Sequence, residues 1–405
     1  EETDPFSPSN VGLEIIDKLL PNIEDLEKRK ELKESTRENG VIATWVEKLA
    51  VQTASVVCVS ALDRYIESLL TRNNDTFDLA IVEEAGKSYP SELLGPISLS
   101  MNTLLIGDHQ QLPPYELYSI ETSLQKTVKD IVNKNATQRG NREKIFDLDV
   151  PIWEKNEVNY DDIQENILKT SKKYLQPFKH WFNDTSRSSD TLQNEWRMFK
   201  ALSDTIGSIF YNGPFTWKKE NKYKKNELPK PWNKEKRLLL VDHPHASTGS
   251  NKEQKTRGGS YRNQYEINSA LPIFKSLLEN KYDVVFLSPY QGQVDMMRSK
   301  IRNKYRNRIR TVDGFQGREA DFIILSLVRN NTRTGNRRWG FVSDARRLNV
   351  ALSRAREAIL ILTSVQHIEE TDWELDRNHI AKLHEAVIGL GSVISASKLK
   401  GEYYE

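Results

Sequence analysis

The sequence predicts an α/β fold, and three observations lead to that prediction. Short apolar runs of strand length recur along the chain, a polar loop follows each of them, and a helical pattern often follows the loop. Alternation of this kind is typical of a parallel sheet covered by helices. With 405 residues and 37% hydrophobic content, the chain is long enough for two domains with cores of their own.

The predicted strands are apolar runs expected to be buried in a sheet. They are Ser55–Val59, Leu79–Val82, Thr103–Ile106, Arg237–Val241, Val284–Leu287, Phe322–Ser326 and Ala358–Leu362. Helical periodicity predicts helices over Asp161–Lys173 and around His379–Val387. Two polar stretches, Lys218–Lys236 and Ser247–Arg262, are rich in Lys with Asn, Pro, Gly or Ser and are predicted to be surface loops.

The composition narrows the class of protein. Lys and Arg number 59 and Asp and Glu number 57, so the net charge is only +2 and any basic surface for a polyanion must be local. The single cysteine, Cys58, excludes an internal disulfide framework and a Cys-based zinc site, which is typical of a reducing cytoplasm. No run approaches the about 18 apolar residues of a membrane span. We therefore expect a cytoplasmic protein with no membrane partner.

Two adjacent carboxylates, Glu83 and Glu84, follow the predicted strand Leu79–Val82. In an open parallel sheet, ligands bind outside the carboxyl ends of the strands. Consecutive acids at such a place can supply one oxygen ligand for Mg²⁺ and one base for a water that attacks a phosphate. A solvated acidic turn is the alternative, and this segment alone does not decide between the two.

Several short motifs follow the acidic pair, and their order along the chain is more specific than any one of them. They are GDHQQLPP at 107–114, QNEWRM at 193–198, SPYQGQ at 288–293, TVDGFQGRE at 311–319 and RRLNVALSRAR at 346–356. This ordered set resembles the motifs of superfamily 1B helicases, the branch that contains the nonsense-mediated-decay helicase and senataxin. The resemblance covers about Ser55–Tyr115 and Thr191–Thr363 and implies a RecA-like P-loop NTPase fold, with one incomplete and one complete motor domain.

The resemblance also implies an ATP site built from matching residues. Glu84 would be the catalytic base, Gln111 a sensor of the γ-phosphate and Arg354 the arginine finger. Arg197 would contact the same phosphate, and Glu83 would bind Mg²⁺, although the family usually has Asp at that position. The residues implied to bind nucleotide are Glu83, Asp108, Gly317 and Glu319.

A second set of residues is implied to bind nucleic acid. Its members are Ser60, Ser288, Tyr290, Thr311, Val312 and Asp313. For Ser288 and Tyr290 a strand-ending turn is the alternative, and for Ser60 a buried strand with no contact to a ligand.

The motif at 346–356 predicts a helix, because Leu348, Ala351, Leu352 and Ala355 share one apolar face. Arg347 and Arg354 are seven residues apart and are expected to project from a common side of that helix. An arginine pair of this kind can be no more than a solvated face. The resemblance is what implies that Arg354 acts on a phosphate.

Four divisions of the chain are predicted. They are a partial first RecA-like domain at 1–115, a charged helical insertion at 116–173, a second RecA-like domain at 174–370 and a C-terminal helical tail at 371–405. The family has a phosphate-binding loop ahead of the acidic strand, and Glu1–Leu49 offers no such pattern. We therefore expect that loop on a preceding segment of a longer protein, and we expect the 405 residues alone to be inactive.

The function implied by the resemblance is an ATP-dependent translocase or helicase that uses Mg²⁺ and acts on single-stranded DNA or RNA. Two other classes compete with it. A catalytically inactive scaffold could keep the helicase fold to bind nucleic acid or a protein. A nuclease or other hydrolase could use Glu83 and Glu84 with a metal ion, but it would need further acids that the nearby sequence lacks.

Overall fold

The computed structural model describes residues 18, 25–35, 41–42, 45–46, 49, 53–60, 77–137, 160–220, 228–248, 251–373, 379–390 and 392–403. The chain forms two compact units. The first comprises Glu1–Asp78 with Gly95–Met101, and the second comprises Leu79–Leu94 with Asn102–Glu405. The boundaries of these two units do not coincide with those of the four predicted divisions, which stay a prediction. The stretch Glu1–Leu49, in which no phosphate-binding loop is predicted, lies largely outside the described residues.

Helix α1 (Leu26–Glu34) lies in the first unit. Its N-cap is Asp25, whose carboxylate accepts hydrogen bonds from two main-chain N–H groups of the first turn at 2.9 and 3.3 Å. Residues 56–60 have no regular structure, so the predicted strand Ser55–Val59 is wrong. An apolar run becomes a strand only where another strand pairs with it, and Val56 is instead exposed.

A small sheet carries the acidic segment. It contains β1 (Phe77–Val82) and β2 (Ser100–Leu105), with α2 (Pro90–Ser98) between them in the chain. The two strands confirm the predictions at Leu79–Val82 and Thr103–Ile106. Their apolar side chains are nevertheless largely exposed, which corrects the expectation that these strands are buried.

Three helices follow the small sheet. They are α3 (Leu117–Thr137), α4 (Tyr160–Leu175) and α5 (Pro177–Phe182), and α3 lies against α4. Helix α4 confirms the prediction at Asp161–Lys173. The part of the predicted insertion at 138–159 lies outside the described residues.

The rest of the second unit alternates strands and helices. The strands are β3 (Asn194–Glu195), β4 (Thr216–Trp217), β5 (Leu238–Asp242), β6 (Gln254–Lys255), β7 (Tyr261–Arg262), β8 (Val284–Ser288), β9 (Ile309–Thr311), β10 (Ala320–Ser326), β11 (Ala355–Thr363) and β12 (Val393–Ser395). The helices are α6 (Lys200–Phe210), α7 (Gln264–Glu279), α8 (Gln291–Ser299), α9 (Asn336–Trp339), α10 (Ala345–Leu352), α11 (Val365–Glu369), α12 (His379–Gly389) and α13 (Ala396–Tyr403).

Six of these strands form the main sheet in the order β12-β5-β11-β10-β8-β9, and all five neighbouring pairs are parallel. The predicted α/β fold with a parallel sheet flanked by helices is therefore confirmed. The four predicted strands from Arg237 to Leu362 are present as β5, β8, β10 and β11, and α12 confirms the helix predicted around His379–Val387. The predicted helical tail holds α12 and α13 but also supplies the edge strand β12.

Alternate residues of the central strands face two different cores. Ile323 and Leu325 pack into a cluster that includes residues of α6, α10 and α12. Phe322 and Ile324 pack into a second cluster with residues of α7 and α8. Because successive side chains of a strand point to opposite faces, an unbroken apolar run is what a sheet covered on both faces requires.

The two predicted surface loops differ in outcome. The described parts of Lys218–Lys236 contain neither helix nor strand, as expected, although Trp232 is buried and donates its indole N–H to the carbonyl of Ile359 at 3.1 Å. Ser247–Arg262 instead holds the antiparallel hairpin β6–β7. It also buries Glu253, whose carboxylate accepts from Nε of Arg329 at 3.1 Å. That ion pair explains why a polar stretch enters the interior.

Within the part of the chain that the structure describes, no helix has both the length and the apolar character that crossing a bilayer requires.

Candidate nucleotide and nucleic-acid site

The loops after β1 and β2 lie side by side in the second unit. The N–H of Ala85 donates to the carbonyl of Ile106 at 2.8 Å. A Cβ atom at Gly107 would lie only 2.6 Å from the main-chain nitrogen of Gly86, so neither loop could approach the other as closely with a larger residue at 107. This contact brings the acidic pair after β1 next to the polar loop after β2.

Glu84 has a left-handed main chain, with φ of 55°, directly before the 3₁₀ turn Ala85–Lys87. Such a conformation costs a non-glycine residue about 1–3 kcal/mol and is held only where the surroundings fix it. The Glu84 carboxylate is half-buried and accepts from Nε2 of Gln316 at 3.3 Å. Glu83, by contrast, is exposed. The two carboxylates of the pair therefore have different surroundings.

Asp108 and Gln111 form the core of the loop after β2. The Asp108 carboxylate accepts from the N–H of Gln110 at 2.8 Å and from Nε2 of Gln111 at 3.0 Å. The other side of the Gln111 amide, Oε1, accepts from Nη2 of Arg354 at 2.7 Å. The amide of Gln111 thus joins a carboxylate to a guanidinium.

Arg354 is not part of a helix. Helix α10 ends at Leu352, and Arg354 follows in the turn that leads into β11, which corrects the prediction of a helix through Arg356. The expected common side of Arg347 and Arg354 is also wrong, because the Arg347 guanidinium contacts Asp313 at 3.1 and 3.2 Å whereas Arg354 contacts Gln111. The early end of α10 is what sends the two arginines to different partners.

Arg354 is 3% exposed and its environment fits an anion. Within the described residues, its Nε is buried with no hydrogen-bond partner. Burial lowers the pKa of Arg354 below its ordinary value, and the nearby positive charge of Arg197 lowers it further. An anionic ligand would satisfy the open donor and relieve the repulsion between the two guanidinium groups.

Arg197 and Glu319 form an ion pair, with Nε to Oε2 at 2.5 Å. The same carboxylate accepts from Nη1 of Arg356 at 2.9 Å. Burial opposes ionisation of Glu319, but the hydrogen bonds and charges of the two arginines outweigh it and lower the pKa of Glu319. The Arg197 guanidinium therefore already has a carboxylate partner.

Three residues predicted to bind nucleic acid are buried. Ser288 and Val312 are joined by a main-chain hydrogen bond of 3.1 Å from the N–H of Val312. The hydroxyl of Tyr290 donates to the carbonyl of Trp339 at 2.9 Å. All three side chains are enclosed by the fold, so a role in strand binding stays a prediction that would depend on main-chain groups.

The other predicted residues lie nearer the surface. Thr311 is half-buried, and its hydroxyl accepts from the N–H of Gly314 at 3.1 Å. Asp313 is exposed and held by Arg347. Gly317 is exposed, with φ of 74°. Ser60 belongs to the first unit and is exposed there, so the buried-strand alternative for Ser60 is wrong.

The metal prediction concerns Glu83. Across the described residues, no three of His, Cys, Asp and Glu gather as a protein-only metal cage. Mg²⁺ in nucleotide sites is commonly held by one or two carboxylates together with phosphate oxygens and water, so it does not require such a cage. Glu83 remains the predicted ligand.

Sequence reasoning assigned no role to three residues that make contacts in this site: Tyr211, Gln316 and Asn349. Gln316 and Asn349 lie inside the motifs at 311–319 and 346–356, and Tyr211 lies shortly after the one at 193–198. Their position in or beside these motifs was the available signal. Their contact partners are more than 100 residues away in the chain and leave no local pattern.

Comparison with known proteins identifies matching domains and relatives. Two family models, each described as an AAA domain, match residues 17–117 and 175–366. The regulator of nonsense transcripts 1 homolog of Neurospora crassa is 27% identical over 332 residues, covering 78% of this chain and 25% of that protein. The ATP-dependent helicase upf1 of Schizosaccharomyces pombe is 26% identical, covering 80% of this chain and 30% of that protein.

A third relative is the DNA-binding protein SMUBP-2 of Mus musculus, which is 25% identical over 82% of this chain and 29% of that protein. The chain thus spans 25% to 30% of the length of these three relatives. The matched domains, the relatives and the parallel sheet agree with the motifs read from the sequence. The chain belongs to the superfamily 1 helicases, in the branch of the nonsense-mediated-decay helicases.

Proposed function

We propose that the chain is the C-terminal part of an ATP-dependent helicase or translocase that moves on single-stranded DNA or RNA. The observation that carries the proposal is the hydrogen bond of 2.7 Å between Arg354 and Gln111, which are 243 residues apart in the sequence. It joins a buried cation to an amide of the loop after β2, close to Glu84. An arginine finger and a sensor of the γ-phosphate need this proximity.

Several groups of the site fit a magnesium nucleotide. Arg354 has an open buried donor, and Arg197 adds a second positive charge beside it. Glu83 offers an exposed carboxylate of the kind that Mg²⁺ prefers. When bound, Mg²⁺ would supply neutralisation of the phosphate charge. The phosphates would also need the binding loop that we propose on a preceding segment of the full-length protein.

The residues would divide the hydrolysis of ATP among them. Glu84 would accept a proton from the water whose oxygen bonds to the γ-phosphorus, while the bond to the bridging oxygen of ADP breaks. Arg354 and Arg197 would stabilise the negative charge that shifts onto the phosphate oxygens. Gln111 would sense whether the γ-phosphate is present. Products are ADP and inorganic phosphate.

The strand would be held mainly by its phosphates, so that base sequence matters little. Thr311 and Asp313 of the second unit would contribute side chains near the surface. Ser60 belongs to the first unit, and its contact with a strand stays a separate prediction. Ser288, Tyr290 and Val312 are buried and would contribute through main-chain groups. We place this work in the cytoplasm as part of the same proposal, on the strength of the single cysteine.

The test is strand-stimulated ATPase of the full-length protein, compared with Glu84→Gln. Loss of the base should lower kcat by about 10²- to 10⁴-fold and leave strand binding intact. Glu385→Gln changes an exposed carboxylate of α12 in the same way and should keep the wild-type rate. A full-length protein that binds the strand but does not hydrolyse ATP would favour the inactive scaffold. Equal rates for Glu84→Gln and wild type would remove Glu84 as the base.

A further inference from the structure

The hydroxyl of Tyr211 lies at a junction that the proposed mechanism does not use. Tyr211 follows the last residue of α6. Its hydroxyl donates to Oδ2 of Asp108 and accepts from Nδ2 of Asn349, the latter at 2.8 Å. The same Nδ2 also donates to the carbonyl of Gln110 at 3.1 Å. One tyrosine hydroxyl is therefore tied to a carboxylate of the loop after β2 and to helix α10.

The Asp108 carboxylate in turn fixes the orientation of the Gln111 amide. Oδ2 of Asp108 accepts both from Tyr211 and from Nε2 of Gln111. Rotating the amide by half a turn would place its oxygen against the carboxylate and its NH₂ group against the guanidinium of Arg354. Both contacts would then pair like with like, so the observed orientation is the one that Asp108 enforces.

Tyr211 is suited to remain a donor. Burial raises the pKa of Tyr211 well above its ordinary value, and the negative charge of Asp108 raises it further, so the hydroxyl keeps its proton across the physiological range. The ring packs against Phe215, with centroids 5.1 Å apart, which limits where the hydroxyl can go. A fixed donor holds a carboxylate better than an exchanging water does.

We propose that Tyr211 is a positioning residue for hydrolysis. It acts through Asp108 to hold the amide of Gln111 with its oxygen toward Arg354, and it does not itself touch the nucleotide. The inference rests on the proposed function, because it assigns Tyr211 a part in the same site. Its effect should therefore appear in turnover and leave ATP binding unchanged.

The first experiment is Tyr211→Phe in the full-length protein, since this change removes the hydroxyl and keeps the ring. One hydrogen bond to a charged group corresponds to a loss of roughly 10- to 100-fold in kcat. The KM for ATP and the affinity for the strand should stay within about twofold of wild type, because the phosphate-binding groups are untouched. A rise in KM at unchanged kcat would contradict the proposal.

A matched control is Tyr261→Phe. Tyr261 is half-buried, and its hydroxyl accepts from Nη1 of Arg333 at 3.1 Å, away from Asp108. The control loses one tyrosine hydroxyl with one partner and should keep the wild-type kcat. Thermal unfolding of both variants shows whether either change acts on the fold. Equal kcat in the two variants would overturn the inference.

A double change separates positioning from general structural support. Gln111→Ala removes the amide through which Tyr211 acts, so adding Tyr211→Phe should lower kcat no further. Independent structural effects would instead multiply. If the effects of Gln111→Ala and Tyr211→Phe on kcat multiply, the inference is overturned, even where Tyr211→Phe alone lowers kcat.

The outcomes also distinguish the inference from the function on which it rests. A wild-type protein without stimulated ATPase overturns both. An active wild type with an unaffected Tyr211→Phe overturns the inference alone. If Tyr211→Phe does not fold, Asn349→Ser is the second variant. It weakens the hydrogen bond that the Tyr211 hydroxyl accepts and leaves Tyr211 unchanged. It must show the same fall in kcat at constant KM.

Discussion

The two sheets are made from similar apolar sequences but bury them differently. In β1 of the small sheet, Leu79 and Ile81 are 49% and 57% exposed, whereas all seven residues of β10 in the main sheet are buried. Strands on both edges and helices on both faces cover β10. The difference teaches that an apolar run predicts a strand, while its burial depends on the neighbours that the fold supplies.

The groups assigned to hydrolysis are divided between the same two sheets. Glu84 and Gln111 lie in the loops after the small sheet, whereas Arg354 leads into β11 of the main sheet. The main sheet thus supports Arg354 on a fully packed core. We expect core changes in the main sheet to act on stability, and changes in the small-sheet loops to act mostly on turnover.

Ile324→Ala should give the largest loss of stability. Ile324 is fully buried in the centre of β10, and truncating a buried isoleucine costs about 2–5 kcal/mol of unfolding free energy because it leaves a cavity. Urea unfolding of the 405-residue chain measures this loss. A loss below about 1 kcal/mol would mean that the main sheet is no better packed than the small one, and the comparison would fail.

Glu266 should give the main sheet a pH dependence. Burial raises the pKa of Glu266 to about 8, although Ser326 and the N–H of Val328 donate to its carboxylate. An acid whose pKa is higher in the folded state stabilises the fold at low pH, and this contribution is lost as the pH rises toward about 8, by up to ~1.4 kcal/mol per pH unit. The glutamine of the Glu266→Gln variant cannot ionise. Between about pH 5 and 8, the free energy of unfolding of this variant should therefore rise relative to that of the wild type. Parallel stability curves in urea unfolding would show that Glu266 stays charged.

Gly107→Ala tests the small-sheet loops. The added methyl would lie 2.6 Å from the main-chain nitrogen of Gly86, so the two loops must separate, at a cost of about 1–3 kcal/mol. That separation should also lower kcat, because Glu84 and Asp108 lie in these loops. Gly389→Ala in α12 adds the same methyl where no atom lies within 4 Å, and it should be neutral or slightly stabilising. Equal unfolding free energies and equal kcat values for the two variants would mean that the loops are not in contact.

Ile81→Ala should have the smallest effect. Its side chain is more than half exposed, and surface truncations usually change the unfolding free energy by less than about 0.5 kcal/mol. The measurement is the same urea titration as for Ile324→Ala. A loss above about 1 kcal/mol would show that Ile81 is covered in solution, and the contrast between the sheets would disappear.

Strand positions and motif order could be predicted because they are local properties. The buried strands β8, β10 and β11 each contain an unbroken apolar run, and the motifs follow one another in a fixed order. The strand at Ser55–Val59 was predicted from the same kind of run and is absent, because the run alone cannot say whether another strand pairs with it. Edge strand β12 has only three residues, too few to show a pattern.

Contacts within the site could not be predicted in the same way. The partners Tyr211 and Asp108 are 103 residues apart, and Glu84 and Gln316 are 232 residues apart, so no spacing rule connects them. The end of α10 at Leu352 was missed because Leu348, Ala351, Leu352 and Ala355 keep a helical spacing past the last helical residue. Tertiary pairing of Ala355 with Ala320 of β10 overrides that spacing.

The pairing of Arg197 with Glu319 sets an energetic threshold for an anion that binds the Nε–H group of Arg197. A ligand that uses the Nε–H group of Arg197 must first displace the Glu319 carboxylate, so the free protein binds it more weakly there than an unpaired Nε–H group would allow. Because the two side chains are 39% and 38% exposed, the threshold is low, on the order of 1 kcal/mol or less, and dissolved salt screens it further. A single shared carboxylate thereby makes the affinity for an anion at Arg197 adjustable by ionic strength.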